Sequence, residues 1–367
     1  MDSITRPTLL REQVLAILRD EILNRRPVGG MMPAEADLVR QFKVSRKTVR
    51  AAYAVLENEG LIERHRGKGT FIIAKTPRGR RTGEVGLVFF SSAALMFFVP
   101  FYSRLIGEIC GRAVAERLYI RLLTHDPNLR EFRFDWQEHA QRLDEALACL
   151  AVGVFKPEAL ASLARRMPTV AVDTGGPFEF CDSVVADDFE AGRLATQHLL
   201  DLGHRRIGFI GAKVTESGSM LDPAHVHRYE GYRAALQQAR VWPGEDLRLD
   251  AVGAGQAVYR AVTVALQQPD RPTAFVAADD IAALEGISAA VAQGCRVPQD
   301  ISFVGVGDAI PTSSNVKLTT VRIGPEQIGR LAVEVLQRRL AEPAAPFVHK
   351  VVEVDLVERE TTASPEW

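Results

Sequence analysis

The chain has 367 residues, of which 47% are hydrophobic and 25% charged. This is ordinary globular composition for two or three folded units at roughly 150 residues each, and it excludes disordered, collagen-like and coiled-coil chains. The formal net charge is −1 and taken whole argues against nucleic acid, yet residues 1–82 hold 17 Lys and Arg against 9 acidic residues while the remainder is acidic. A basic head on an acidic body is the asymmetry expected when one part meets phosphate and the other does not.

Residues 8–24 place Leu10, Val14, Ile17, Leu18 and Ile22 at helical spacing, and Pro27-Val28-Gly29-Gly30 ends that helix. A short second helix is predicted from Glu35 to Phe42, with Leu38, Val39 and Phe42 apolar. A third follows Ser45, whose hydroxyl suits an N-cap, and ends at Gly60, which suits the C′ position. Its inward stripe is Val49, Ala52, Val55 and Leu56, and Arg46, Lys47 and Arg50 face away from it. Two helices joined by a tight turn, the second basic at its N-terminal end, form a helix-turn-helix able to present side chains to a major groove. Residues 61–73 then alternate as a hairpin with Gly67, Lys68 and Gly69 at a basic tip, a wing beside which His65 sits.

Across 9–73, and most densely in MPAEADLVRQFKVSRKTVRAAYAVLENEGLIERHRGKGTFI, this head resembles the GntR family winged helix-turn-helix. The resemblance implies contacts to double-stranded DNA from Arg46, Thr48 and Arg50, with Ser45 and Lys47 on the same turn and His65, Gly67, Lys68 and Gly69 on the wing. The family pattern Pro-Ser-Glu-Arg is here Pro33-Ala34-Glu35-Ala36, so Ala34 lacks a capping hydroxyl and Ala36 lacks an arginine that often reaches DNA.

Residues 75–84 are rich in Pro, Gly and Arg without apolar periodicity and read as a linker between a head at 1–74 and a body at 85–362, with 363–367 as a tail. Val85–Phe101 is apolar, but Ser91, Ser92 and Pro100 interrupt it; it reads as a buried strand, an apolar loop and a helix start, and no membrane partner is expected. Strands are predicted at 85–90, 119–123, 151–155, 170–173, 207–210, 274–277 and 302–306. Helices are predicted between them, including one reaching Leu150 and one from Pro157 to Arg166. The alternation predicts an α/β body of parallel sheets, and its length predicts two lobes with a cleft between them. Cys110, Cys149, Cys181 and Cys295 are widely separated, which fits reduced thiols in a cytoplasmic protein. The start of the chain lacks the pattern of a signal peptide.

The sequence carries no GxxxxGK[ST], GxSxG or HExxH motif, so no enzyme activity and no cofactor is expected. His225 and His227 alternate without a third ligand and read as ordinary histidines rather than a metal site, and Asp187-Asp188 reads as a helix cap. The segments DSVVADDFEAGRLATQHLLDLGHRRIGFIG, RYEGYRAAL, RPTAFVAADDIAALEG, GCRVPQDISFVGVGDA, LTTVRIGPEQIGRLAVEVL and VDLVERETT are similar to the LacI/GalR regulators and their periplasmic sugar-binding relatives. That likeness implies two lobes joined by three connections, a small-molecule effector in the cleft (a carbohydrate by family habit) and a homodimer on a pseudo-palindromic operator. It implies effector contacts at Asp173, Arg228, Asp279 and Asp308; for Arg228 a surface position at a helix start is the alternative. Asp279 stands where the family has Asn, and Gly307 where it has a sugar-clamping Asp. The expectation is a ligand-responsive regulator, a repressor by resemblance; the competing expectations are a solute-binding component of transport and a non-sugar effector.

Overall fold

The computed structural model describes residues 10–22, 29–58, 61–65, 68–73, 83–89, 99–123, 146–153, 157–211, 223–241, 247–250, 256–308 and 315–365. The chain divides into two compact units, Met1–Gly83 and Glu84–Trp367. The predicted C′ glycine Gly60, the wing residue Gly67 and most of the predicted linker lie outside the described residues.

The head contains α1 (Leu10–Asp20), α2 (Glu35–Phe42), α3 (Arg46–Asn58), β1 (Ile62–His65) and β2 (Gly69–Ile72). Its core is built from Val14, Leu15, Leu18, Ile22, Leu38, Val49, Ala52, Tyr53 and Leu56. Ile17, expected inside, is exposed, and Leu15 is buried instead, in the helix that packs against α3. The β1–β2 hairpin is antiparallel, with His65 opposite Gly69. The segment that ends the first helix also extends this sheet: Gly29 N–H donates to Ile72 O and Met32 N–H to Thr70 O.

The body contains β3 (Gly83–Phe89), α4 (Pro100–Ala115), β4 (Leu118–Leu123), β5 (Ala148–Val152), α5 (Pro157–Ala164), β6 (Thr169–Val172) and β7 (Asp182–Ala186). There follow α6 (Asp188–Asp201), β8 (Ile207–Gly211), α7 (Pro223–Gln238), β9 (Arg248–Asp250), α8 (Gln256–Leu266), β10 (Ala274–Ala277) and α9 (Asp280–Ala292). The chain ends with β11 (Ser302–Gly307), β12 (Thr319–Arg322), α10 (Pro325–Ala341), β13 (His349–Val352) and β14 (Asp355–Val357). Two six-stranded sheets result, ordered β13-β7-β6-β5-β3-β4 and β14-β12-β11-β10-β8-β9. The first, with α4 and α10 on it, is one lobe; the second, with α6 to α9, is the other. The chain passes between the sheets after β7, after β12 and after β13. Pairing is parallel through the centre of both sheets, and β5, β6, β8, β10 and β11 are buried along their whole length. That is why they read as unbroken apolar runs rather than alternating ones.

Two expectations need correction. The helix predicted to reach Leu150 is wrong at its end, and the strand predicted at 151–155 starts earlier: Ala148–Val152 is strand, paired with β3 and β6. Ala148, Leu150 and Ala151 favour helix by propensity, and pairing in a buried sheet overrides it. The tail expected from 363 begins later, since Ala363 N–H donates to Ser302 Oγ at 3.1 Å and its carbonyl accepts from His204 Nε2 at 2.9 Å. Among the described residues no helix is long and apolar enough to cross a membrane.

His198 and His204 are buried beside this C-terminal segment, and burial holds both below the ordinary value of 6.5. A histidine with a depressed native pKa contributes stability that is complete above 6.5 and is lost as pH falls below it, because the unfolded chain takes up the proton more readily. The thermal midpoint of the body is therefore expected to fall between pH 7.5 and 5.5. His204→Gln should flatten that slope; an unchanged slope in the variant would assign the pH response elsewhere.

Candidate functional site

In the head, Ser45 is the cap predicted for α3: its Oγ accepts from Thr48 N–H at 3.1 Å and lies 2.8 Å from Thr48 Oγ1. Thr48 is thereby half-buried in the cap, while Arg46, Lys47 and Arg50 are exposed on the first turns. Ala34 occupies the N-cap of α2 with no side-chain hydrogen bond, as its missing hydroxyl requires. On the wing, His65 packs edge-on to Phe71 and lies 3.8 Å from Glu63, and Lys68 is exposed. Gly69 has φ of +113°, and a Cβ there would lie 3.1 Å from Met31 Sδ, so the turn requires glycine.

Sequence reasoning missed Glu35. Its carboxylate lies 2.9 Å from Arg50 Nε, 3.6 Å from Arg46 Nε and 3.6 Å from Arg64 Nη1. Burial raises its pKa, but Arg50, Arg64 and Arg46 together outweigh burial and hold it below the ordinary 4.5. The ion pairs thus persist at neutral pH and weaken only as acid protonates Glu35. One acid from α2 therefore orients two arginines of α3 and one of β1 against their mutual repulsion. Glu35→Gln is expected to raise affinity for random duplex, by removing a negative charge, and to cut discrimination for the preferred sequence about fivefold, the low end of one bidentate base contact. Competition binding with specific and random duplex measures both; unchanged discrimination would show that these arginines need no anchor.

In the body, three of the four predicted effector residues, Asp173, Asp279 and Asp308, follow the carboxyl ends of parallel strands, where such folds bind ligands, and the fourth, Arg228, lies within α7. Asp173 follows β6 with φ of +54°, and its N–H donates to Val184 O. Two residues on, Gly175 abuts the other lobe, since a Cβ there would lie 3.4 Å from Pro223, the first residue of α7. Asp279 caps α9 by accepting from Ala282 N–H at 2.8 Å, and its Oδ2 faces His225 Nε2 at 3.5 Å. Asp173, His225 and Asp279 thus flank the place where the lobes touch.

Arg228 is buried, which excludes the surface alternative. Its Nε and Nη2 reach Asp188 Oδ1 at 2.8 and 2.7 Å, and Nη1 donates to Ala278 O at 2.7 Å. Of the acidic pair read as a cap, Asp187 does cap α6 through Glu190 N–H, while Asp188 holds Arg228 from forty residues away. Asp308 is also occupied: Arg322 Nε lies 2.9 Å and Arg359 Nη2 2.6 Å from its carboxylate, and its carbonyl accepts from Arg104 Nη1. Arg104 in turn grips Glu326, so this ion-pair chain ties strand ends of the second lobe to α4 and α10 of the first. No group of three or more potential metal ligands occurs among the described residues.

A winged helix-turn-helix with an exposed basic recognition helix, in one chain with a two-lobed body that carries polar side chains at its strand ends, defines a ligand-responsive transcriptional regulator. Residues 10–72 match the bacterial regulatory proteins of the gntR family, and residues 196–362 match the periplasmic binding protein-like domain. The chain is 30% identical to the arabinose metabolism transcriptional repressor of Geobacillus stearothermophilus, over 94% of this chain and 96% of that protein. It is 28% identical to the HTH-type transcriptional repressor PurR of Pectobacterium carotovorum, over 79% and 83% of the two chains. Among solved structures, a LacI family regulator of Enterococcus faecium with bound ribose matches at TM-score 0.65 and 21% identity, over 77% of this chain and 99% of that one, a likeness of fold. The chain belongs to the same family of transcriptional repressors as the Geobacillus protein, with a gntR head joined to a periplasmic binding protein-like body.

Proposed function

We propose that the interlobe cleft binds a sugar or closely related metabolite, and that its occupancy sets the affinity of paired heads for a pseudo-palindromic operator in the cytoplasm. The observation that carries this is the set of polar side chains, Asp173, His225 and Asp279, at the strand ends where Gly175 of one lobe meets Pro223 of the other. Carboxylates at such a junction suit vicinal hydroxyls. The arabinose repressor relative and the ribose-bound neighbour point the same way. Base and phosphate contacts are assigned to Arg46, Lys47, Thr48 and Arg50, with Ser45 setting the helix start and His65, Gly67, Lys68 and Gly69 forming the wing. Arg228 and Asp308 act in the cleft by holding its walls, through Asp188 and through Arg322 and Arg359. This is a binding role rather than chemical turnover.

Homodimerisation is supported by exposed apolar side chains at Val114, Tyr119 and Leu122 of the first lobe and Tyr259, Val264 and Val291 of the second. An effector must bind one arrangement of the dimer better than another, or it shifts nothing. The head stands against a transport role. Gly307, in place of the family's clamping carboxylate, is what favours a non-sugar effector as the second reading. A thermal-shift screen of the full chain against sugars, sugar phosphates, nucleosides and amino acids decides between them. A ligand at a hundredfold its Kd adds about 2.7 kcal/mol to the native state. A shift with sugars is expected; a shift confined to nucleosides or amino acids would overturn the sugar assignment.

A further inference from the structure

The head, residues 1–83, holds a single histidine, His65, and no cysteine. Histidine is the side chain whose ordinary titration falls between pH 5 and 8. The head therefore carries its one such side chain at the last residue of β1, beside the turn that bears Lys68. Lys68 N–H donates to His65 O at 3.0 Å, which ties the backbone of His65 to the wing tip.

Successive side chains of β1 take opposite faces of the hairpin. Arg64 turns inward, 3.3 Å from Glu57 and 3.6 Å from Glu35, with its guanidinium over the Tyr53 ring. His65 takes the other face, where its cross-strand partner Gly69 has no side chain. There Phe71 packs against the imidazole edge-on, with ring centroids 5.4 Å apart, and Nε2 lies 3.8 Å from Glu63 Oε2. The segment that extends the sheet brings Met31 to Phe71 and Gly69, and none of these three titrates. Among the described residues, the charged groups beside His65 on its own strand and turn are Glu63, Arg64 and Lys68. The side chains of His65 and Glu63 are 46% and 57% exposed, so both reach solvent. Of the hairpin's basic residues, Arg64, Arg66 and Lys68, the first is already compensated from inside, and Glu63 offsets a further charge. One proton on His65 is then a large increment to what the wing offers a phosphate.

We propose that His65 is a titrating phosphate contact, which makes duplex affinity rise as pH falls through the range where an imidazole takes up its proton. This rests on the duplex-binding assignment of the wing and deepens it. An opposite charge within about 4–6 Å favours the charged imidazole, so a phosphate at the wing draws a proton onto the ring. Proton uptake on binding and tighter binding in acid are one linkage read from two sides. The complex holds more protons than the free partners, so affinity climbs from pH 8 to pH 5.5. Glu63 opposes the effect: it offers the same charge a partner in the free protein, and phosphate repels it. Glu35 adds nothing over this range, because its arginines hold it below the ordinary 4.5 and it stays ionised.

The test is duplex binding by the full chain at constant ionic strength between pH 8 and pH 5.5, followed by fluorescence anisotropy on one duplex selected from a randomised pool. A salt series is run at each end. Wild-type affinity is expected to rise about fivefold toward acid, the upper end for one exposed ion pair, and the log–log salt slope to steepen by roughly 0.9. His65→Gln should give a nearly flat pH profile and the same salt slope at both ends. His65→Lys, charged throughout, should also be flat but with the steeper slope, which a merely structural role would not produce. Glu63→Gln should enlarge the pH response, and His204→Gln, in the body, should keep that of the wild type. A response that persists in His65→Gln, or wild-type affinity indifferent to pH, overturns the proposal and leaves duplex recognition standing. If no duplex is bound at either pH, the wing assignment fails and the proposal with it.

Discussion

Gly231→Ala is expected to destabilise the body by at least about 3 kcal/mol, the top of the usual range for overpacking. The reason is the closeness of α6 and α7. A Cβ on Gly231 would lie 2.0 Å from Phe189 O and 2.7 Å from Arg193 N, and one on Gly192 would lie 1.9 Å from Arg228 O. These obstacles are backbone atoms, so no rotamer change relieves them. The helices must part, and parting them draws Arg228 away from Asp188. At roughly 2–4 °C per kcal/mol for a domain somewhat smaller than this body, the thermal midpoint should drop by about 6–12 °C. The head, a separate unit, should keep its own transition. A midpoint within a degree or two of wild type would show that the helices do not cross backbone to backbone.

Arg228→Ala carries the second large effect. Arg228 and Asp188 are both below 10% exposed, so removing the guanidinium strands a carboxylate in the interior. Breaking a buried pair on one side costs about 3–5 kcal/mol, whereas removing both partners is often close to neutral. Arg228→Ala should therefore be less stable than the Arg228→Met, Asp188→Leu double variant, and a double-mutant cycle should give a coupling well above 0.5 kcal/mol. The double variant also separates architecture from ligand contact. Stability regained with effector binding lost would place the guanidinium at the ligand; both regained would make it purely architectural.

What could be read from the sequence was what is local. The α2 helix falls at Glu35–Phe42 as its apolar spacing predicts, Ser45 caps α3, and β10 occupies 274–277 as expected. The strands left unassigned, β7, β9, β12, β13 and β14, are short, and partners far along the chain fix them. His349 pairs with Ser183 in β13–β7, and Thr320 with Val357 in β12–β14. Ile17 and Leu15 show the limit of helical spacing: both fit an amphipathic face, and only the orientation of α1 against α3 chooses between them. The same holds for the cleft. Asp173, Arg228, Asp279 and Asp308 could be named from family likeness, but nothing near Asp308 in sequence says that Arg322 and Arg359 enclose it. Nor does anything near Arg228 point to Asp188. Glu35 was legible only as part of a motif; its role emerged when α2, α3 and β1 were seen to converge on one carboxylate.

The central claim is that one chain couples a sugar-occupied cleft to duplex recognition. It is tested most directly by selecting a preferred sequence from a randomised duplex pool with the full-length protein, then titrating that duplex with and without the sugar identified by thermal shift, across a salt series. The account predicts binding that weakens steeply with salt, with a log–log slope of roughly −0.9 per phosphate neutralised, and an affinity that changes when sugar is added. It also predicts a reciprocal change in sugar affinity when duplex is present. Absence of duplex binding at low salt, or duplex affinity indifferent to saturating sugar, would contradict it.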